Sequence, residues 1–218
     1  CLREAARISE LGFAAVLESI RPGMTEAQLA GIAAGAMLAR GAEATGYPIW
    51  CCSGPNSNQA ISRPAHRPVQ TGEIVHFSVG AKVSGYSASI GRPVVLGHCP
   101  DPMRKFLQVG LDAENLTFDL MRAGTPAADV ARRVHGFITE RGYGDAILYG
   151  PAHGCGQMEC EYPFVETSSE FLLEAGMAFM VDVFLSNAEM GFRWEDGVVV
   201  TDGAAEQLST FKRELIVL

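Results

Sequence analysis

Three residues carry the chemistry that this sequence could perform. His153 lies in Gly150-Pro-Ala-His-Gly-Cys-Gly156, where glycines let backbone and ligand approach closely. An imidazole flanked by carboxylates titrates near neutral pH and can carry a proton to or from a reacting group. Asp182 and Glu195 sit in apolar, strand-like runs, Met180-Val-Asp-Val-Phe184 and Phe192-Arg-Trp-Glu-Asp-Gly-Val198. A lone buried anion is costly, so each must pair, share a proton or face a polar cavity. A close carboxylate pair weakens one of its two acidities and so sets an acid beside a base. The plain alternative is structural, with His153 hydrogen-bonded to a carboxylate and the acids bridged to Arg193. Asp196 follows Glu195 directly, points to the other face of the strand and reads as structural.

A second circle of candidates surrounds these three. Arg63 and Arg193 could each grip a substrate carboxylate through bidentate hydrogen bonds, although Arg63 reads equally well as a surface residue. Tyr86 and Tyr162 are candidates to line a pocket, with packing as the plain reading. Cys160 is a possible nucleophile or an inert pocket thiol. The six cysteines follow no regular framework, so reduced thiols in a cytoplasmic protein are expected, and the Cys155/Cys160 spacing matches no common zinc site. His66, among Arg63, Arg67 and Pro68, belongs to a solvated loop. His76 alternates with apolar neighbours and reads as partly exposed, while His98 and His135 have no motif around them. There is no phosphate loop, dinucleotide fingerprint or serine elbow.

The elements that must position these groups belong to an acidic, core-forming chain. Its 218 residues hold 17 Lys+Arg against 25 Asp+Glu, a formal charge of −8, with 48% hydrophobic and 19% charged residues. So much apolar matter excludes a disordered chain, and an acidic balance argues against nucleic acid as partner. No apolar run approaches the roughly 18 residues of a membrane span, and no signal peptide opens the sequence. Helical spacing begins at once after Cys1, which suggests a missing N-terminal domain.

Residues 2 to 20 have helical apolar spacing, and Arg21-Pro-Gly23 breaks the run. Thr25 offers an N-cap for a second helix to about Arg40, stopped by Gly41. Strands are expected over Tyr47–Cys52, Ile74–Val83, Tyr86–Leu96, Ala146–Tyr149, Ala178–Leu185 and Phe192–Thr201, with a short final one. Two further helices span Pro100–Met121 and Ala127–Arg141. The order helix–helix–strands thus occurs twice, and residues repeat with it. At an offset of 101, Arg21/Arg122, Gly23/Gly124, Ala27/Ala128, Ala30/Ala131, Gly35/Gly136, Arg40/Arg141 and Gly41/Gly142 are identical. At an offset of 104, Gly72-Glu-Ile-Val-His-Phe-Ser78 matches Gly176-Met-Ala-Phe-Met-Val-Asp182. An approximate two-fold relating the halves would bring Ser78 and Asp182 together at the centre, where a cleft is expected.

Ser53-Gly-Pro-Asn56, Gly80-Ala81, Gly85-Tyr86, His153-Gly-Cys-Gly156, Glu161-Tyr-Pro163, Gly176-Met177 and Arg193-Trp-Glu-Asp196 occur in an order and spacing that resembles the pita-bread family of methionine aminopeptidases, Xaa-Pro dipeptidases and creatinase. The resemblance implies an α+β fold over residues 1–218. Its two pseudo-two-fold halves, about 1–99 and 100–218, would surround a curved antiparallel sheet. It also implies a homodimer acting on a small-molecule substrate. Metal-dependent members hold two ions with two aspartates, a histidine and two glutamates, and the matching positions here are Ser78, Ser89, His153, Asp182 and Glu195. Serine is neutral and cannot bridge ions as a carboxylate does, so a +4 centre would lack ligands. No cofactor is therefore expected, with a single weak divalent ion on His153, Asp182 and Glu195 as the alternative. Two assisting histidines of the peptidases fall at Ile61 and Cys160, and Glu161 matches a position beside the site. The leading expectation is a creatinase-like, metal-independent hydrolase of a C–N bond, with His153, Asp182 and Glu195 as its working groups. The alternatives are an Xaa-Pro dipeptidase with a reduced metal site and an inactive binding or scaffold protein.

Overall fold

The computed structural model describes all 218 residues. Helix α1 spans Leu2–Ser19 and α2 Glu26–Ala39. The second starts where the sequence offers a cap: the Thr25 side chain accepts from the Gln28 amide, and the Gln28 side chain accepts from the Thr25 amide. It stops before Gly41, whose φ of +97° a side chain would resist. Helices α3 (Asp101–Leu120) and α4 (Ala127–Glu140) form the second pair.

The strands are β1 (Ala44–Thr45), β2 (Trp50–Ser53), β3 (Ile74–Val83), β4 (Tyr86–Val95), β5 (Ala152–Gly154), β6 (Glu161–Val165), β7 (Ala178–Ser186), β8 (Gly191–Val199), β9 (Glu206–Gln207) and β10 (Ile216–Val217). They form one sheet in the order β1-β3-β4-β8-β7-β5-β6, with β2 on β3, β9 on β8 and β10 on β4. Only the β10–β4 pairing is parallel. The hairpins β3–β4 and β7–β8 adjoin through β4 and β8, and their surroundings repeat. Gly23 N donates to Val69 O as Gly124 N donates to Leu173 O; Gly72 N donates to Leu96 O as Gly176 N donates to Val200 O.

Period-two alternation divides the sheet into two faces. Phe77 and Ile90 pack with Phe13 and Leu29 of α1 and α2, while Phe179 and Trp194 pack with Leu107 and Val134 of α3 and α4. Each half thus has its own apolar core beneath its own helices. The alternate residues Ser78, Asp182, Arg193 and Glu195 are left to the opposite face. One cross-strand row runs Trp50↔Ser78↔Gly91↔Glu195↔Asp182 through β2, β3, β4, β8 and β7. Directly opposed residues share a face, so this row sets the polar groups side by side. A side chain at Gly91 would break it, because a Cβ there would meet Glu195 Cβ at 2.6 Å.

Two expectations fail locally. Ala146–Tyr149 is not a strand: Gly144–Ala146 forms a 3₁₀ turn, Ile147 makes an isolated bridge to Leu185, and the strand begins only at Ala152, after Gly150-Pro151. Strand β6 was not foreseen, because Pro163 lies within it; the strand sits at the edge of the sheet, where a missing N–H is tolerated. No helix is long and apolar enough to cross a membrane.

Candidate active site

A cavity of about 470 Å³ opens on the polar face of the sheet. Tyr47, Trp50, Ile61 and Phe164 give it apolar surface, and His153, Glu159, Cys160, Asp182, Arg193 and Glu195 give it chemistry. The volume suits a small, mostly enclosed ligand held by a few polar groups.

The polar groups form two linked networks. In the first, Arg193 Nε donates to Asp182 Oδ1 at 2.7 Å, Tyr149 OH donates to Asp182 Oδ2 at 2.8 Å, and Arg193 Nη2 donates to Tyr149 OH at 2.7 Å. Both oxygens of Asp182 are thereby held, and the guanidinium carbon lies 4.4 Å from the Trp50 ring centre. Arg193 Nη1 keeps no hydrogen-bond partner. In the second, Ser78 Oγ donates to Glu195 Oε2 at 2.5 Å and is itself hydrogen-bonded to Tyr47 OH. Ser89 Oγ donates to Glu159 Oε1 at 3.0 Å. His153 stands between the networks: Nε2 is 3.9 Å from both Glu159 Oε1 and Asp182 Oδ2, and Nδ1 is 3.1 Å from Gly154 O. A carbonyl only accepts, so Nδ1 carries a proton and Nε2 is the nitrogen left for the cavity.

These groups crowd negative charge into a place with little water. Burial pushes the Glu195 carboxyl well above the usual range, and Glu159 and Asp182 beside it push the same way. Glu159 is raised too, first by burial and then by Asp182. For His153, burial is the largest single influence and opposes the charge, but Cys160, Asp182 and Glu195 together outweigh it and lift the imidazole to about 9. His153 therefore carries its proton at neutral pH, beside two glutamates that are harder to ionise than free ones.

The structure brings together His153, Asp182, Glu195, Arg193, Cys160 and the serines, but not every candidate. Arg63 is exposed and does not line the cavity. Glu161 turns back on its own loop, where Oε2 accepts from Met158 N at 2.9 Å. Tyr86 is exposed at the β3–β4 turn, and Tyr162 points outward from an edge strand. His76, expected partly exposed, is fully buried against Phe184, and burial lowers it to about 3. His66 is on the surface, as its charged loop implied. Sequence reasoning missed Glu159, Tyr149 and Tyr47. Glu159 precedes Cys160-Glu161-Tyr-Pro163 in a loop without periodicity, and only its place next to a family motif marks it.

The family model that matches residues 1–202 is that of metallopeptidase family M24. The chain belongs to that family. An Xaa-Pro dipeptidase of Lactobacillus delbrueckii subsp. lactis is 28% identical over 220 residues, covering 100% of this chain and 60% of that protein. An X-Pro aminopeptidase from Thermotoga maritima superposes with a TM-score of 0.96 at 27% identity, covering 100% of this chain and 61% of that one. An Xaa-Pro dipeptidase from Bacillus anthracis gives 0.97 at 29%, with the same coverage. This M24 chain has the pita-bread fold and spans about three-fifths of the length of these relatives.

The two-ion centre of the family does not fit the residues present in this M24 chain. At the two positions that the family resemblance matches to aspartate ligands, Ser78 and Ser89 each donate a hydroxyl to a glutamate instead of offering an anionic oxygen to an ion. Asp182, which the resemblance makes a third ligand, has both oxygens engaged by Arg193 and Tyr149. Ile61 and Cys160 both line the cavity, and neither offers an imidazole.

Proposed function

We propose that the cavity hydrolyses a C–N bond in a small peptide or peptide-like amide of the Xaa-Pro type, without the pair of ions used by its metal-dependent relatives. The named relatives are Xaa-Pro peptidases, which moves the reading away from creatinase-type substrates and toward peptides. One observation carries the proposal: an imidazole and a cluster of carboxyl groups line one cavity beside an apolar wall. The Tyr47–Trp50 side would take the imino-acid ring or another apolar group. Arg193, fixed by Asp182 and Tyr149, supplies positive charge to the cavity wall. His153 Nε2, Glu159 and Glu195 face the reacting bond, where water loses a proton and the departing nitrogen gains one.

The test is turnover of Xaa-Pro dipeptides, other dipeptides and small amides by the purified protein. His153→Ala should lower the rate at least about a hundredfold, the ordinary size of a proton-transfer contribution. Turnover of none of these compounds would favour a binding role, and an unchanged rate in the variant would remove His153 from the reaction.

A further inference from the structure

The family's ion pair does not fit, yet the cavity is not without a place for a cation. His153, Glu159 and Glu195 each present a ligand atom, all within 4.8 Å of one another. Glu159 stands at none of the five family ligand positions. Its carboxylate ends at the hydroxyl of residue 89, where the matching aspartate would carry its own carboxylate. Glu159, from the loop before β6, thus brings a carboxylate to the point on β4 where Ser89 supplies only a hydroxyl.

Two further observations point to a ligand. The only guanidinium lining the cavity, that of Arg193, makes its hydrogen bonds to Asp182 and Tyr149, which leaves Glu159 and Glu195 without a fixed counterion. His153 is 8% exposed, and its Nε2 makes no hydrogen bond although it faces both the carboxylates and the cavity. Its Nδ1 faces Gly154 O, the backbone anchor that holds a ligating imidazole in orientation. One nitrogen and two carboxylates, with open space beside them, match the donor type of a single open site for a first-row ion. Ligand atoms around a tetrahedral ion stand about 3.3–3.6 Å apart, so the cluster would draw together by about an ångström at its widest separation.

We propose that this cavity binds one divalent first-row cation on His153 Nε2, Glu159 and Glu195, with Glu159 replacing the carboxylate absent at position 89. What the ion would do rests on the hydrolytic reading above, but its binding is measured without substrate.

The experiment titrates the chelator-treated, purified protein with Mn²⁺ and, separately, Zn²⁺ by calorimetry, and counts bound metal by elemental analysis after dialysis. One ion per chain is expected. Glu159→Gln, which can still accept from Ser89, should weaken binding more than about tenfold, since even outer partners of metal ligands are worth that much. Ser89→Asp combined with Glu159→Gln should recover affinity by supplying the charge from β4; circular dichroism and thermal melting of each variant exclude misfolding. No binding, two ions per chain, or undiminished affinity in Glu159→Gln would overturn the proposal. Binding without turnover of any peptide leaves this site standing and removes the hydrolase reading. Turnover that persists in chelator, with no metal bound, does the reverse.

Discussion

Glu195 and Asp196 are neighbours on one strand, and their surroundings differ as much as two acids can. Asp196 faces the helices, fully buried, where Arg92 Nη2 donates to it at 2.8 Å and Ser209 Oγ also donates. Arg92 is fastened in turn to the carbonyls of Gly91 and Glu195 at 2.8 and 3.0 Å. Glu195 faces the cavity, where a serine hydroxyl is its donor and a second glutamate stands close by. Two acids made by one strand are thus sorted by the counterions built around them. An anion with a fixed guanidinium holds the fold together; an anion without one, beside open space, is a place for protons, substrate or a cation.

The largest effect expected from breaking this comparison is on the sealed side. Asp196→Ala leaves the Arg92 guanidinium buried and unpaired, which should cost about 3–5 kcal/mol. Urea unfolding of the variant, with an unchanged slope, measures it. A cost below about 1 kcal/mol would mean that the pair contributes no more than a surface one.

The sealed side also contains an acid that tests the rule from within. Glu114 of α3 is fully buried, and neither carboxylate oxygen has a partner. Burial, reinforced by Asp196, raises it well above its ordinary value near 4.5, so the native state retains a proton that the unfolded chain has lost. Above that ordinary value the native state therefore loses stability as pH rises, until the folded group ionises as well. Glu114→Gln has no proton to lose. The stability gap in favour of the variant should widen as pH is raised from about 4.5; a gap independent of pH would show that Arg92 and Arg213 keep this carboxylate charged.

How much of this was legible in the sequence follows the same division. Gly72/Gly176 and Gly41/Gly142 mark turns that only glycine enters easily, so the duplicated frame and the helix ends could be read directly. His153, Asp182 and Glu195 could be read as convergent because the repeat placed Ser78 opposite Asp182, and the cross-strand row does align them. That Asp196 is structural followed from alternation alone. Contacts made by irregular segments could not be read. The strand expected over Ala146–Tyr149 gives Tyr149 the wrong local geometry, and Glu159 lies in a loop without a period, so the direction of neither side chain could be read. Arg63, Glu161 and Tyr86 were chosen for residue type beside a motif, which says nothing of where a side chain ends. Burial of His76 was missed because alternation identifies a face of the sheet but not what covers it.

The smallest effect expected is the most discriminating, because it concerns the cavity-side acid itself. Glu195→Gln keeps the shape of the side chain and an oxygen that can accept from Ser78. It removes a carboxyl whose ionisation is opposed by burial and by the neighbouring Glu159. Were Glu195 a structural anion like Asp196, its loss would destabilise the protein by several kcal/mol, as breaking a buried ion pair does. Because no guanidinium hydrogen-bonds to it, the variant should stay within about 1 kcal/mol of the parent and fall on the side of gain, the cost of a surplus buried charge having been removed. That gain should grow as pH rises, by the same linkage as for Glu114. Urea unfolding of the parent and of both single variants at one pH then compares the two faces of β8 directly. A loss for Glu195→Gln comparable to that for Asp196→Ala would mean that both faces of the strand serve stability and that the cavity is a structural feature of the sheet.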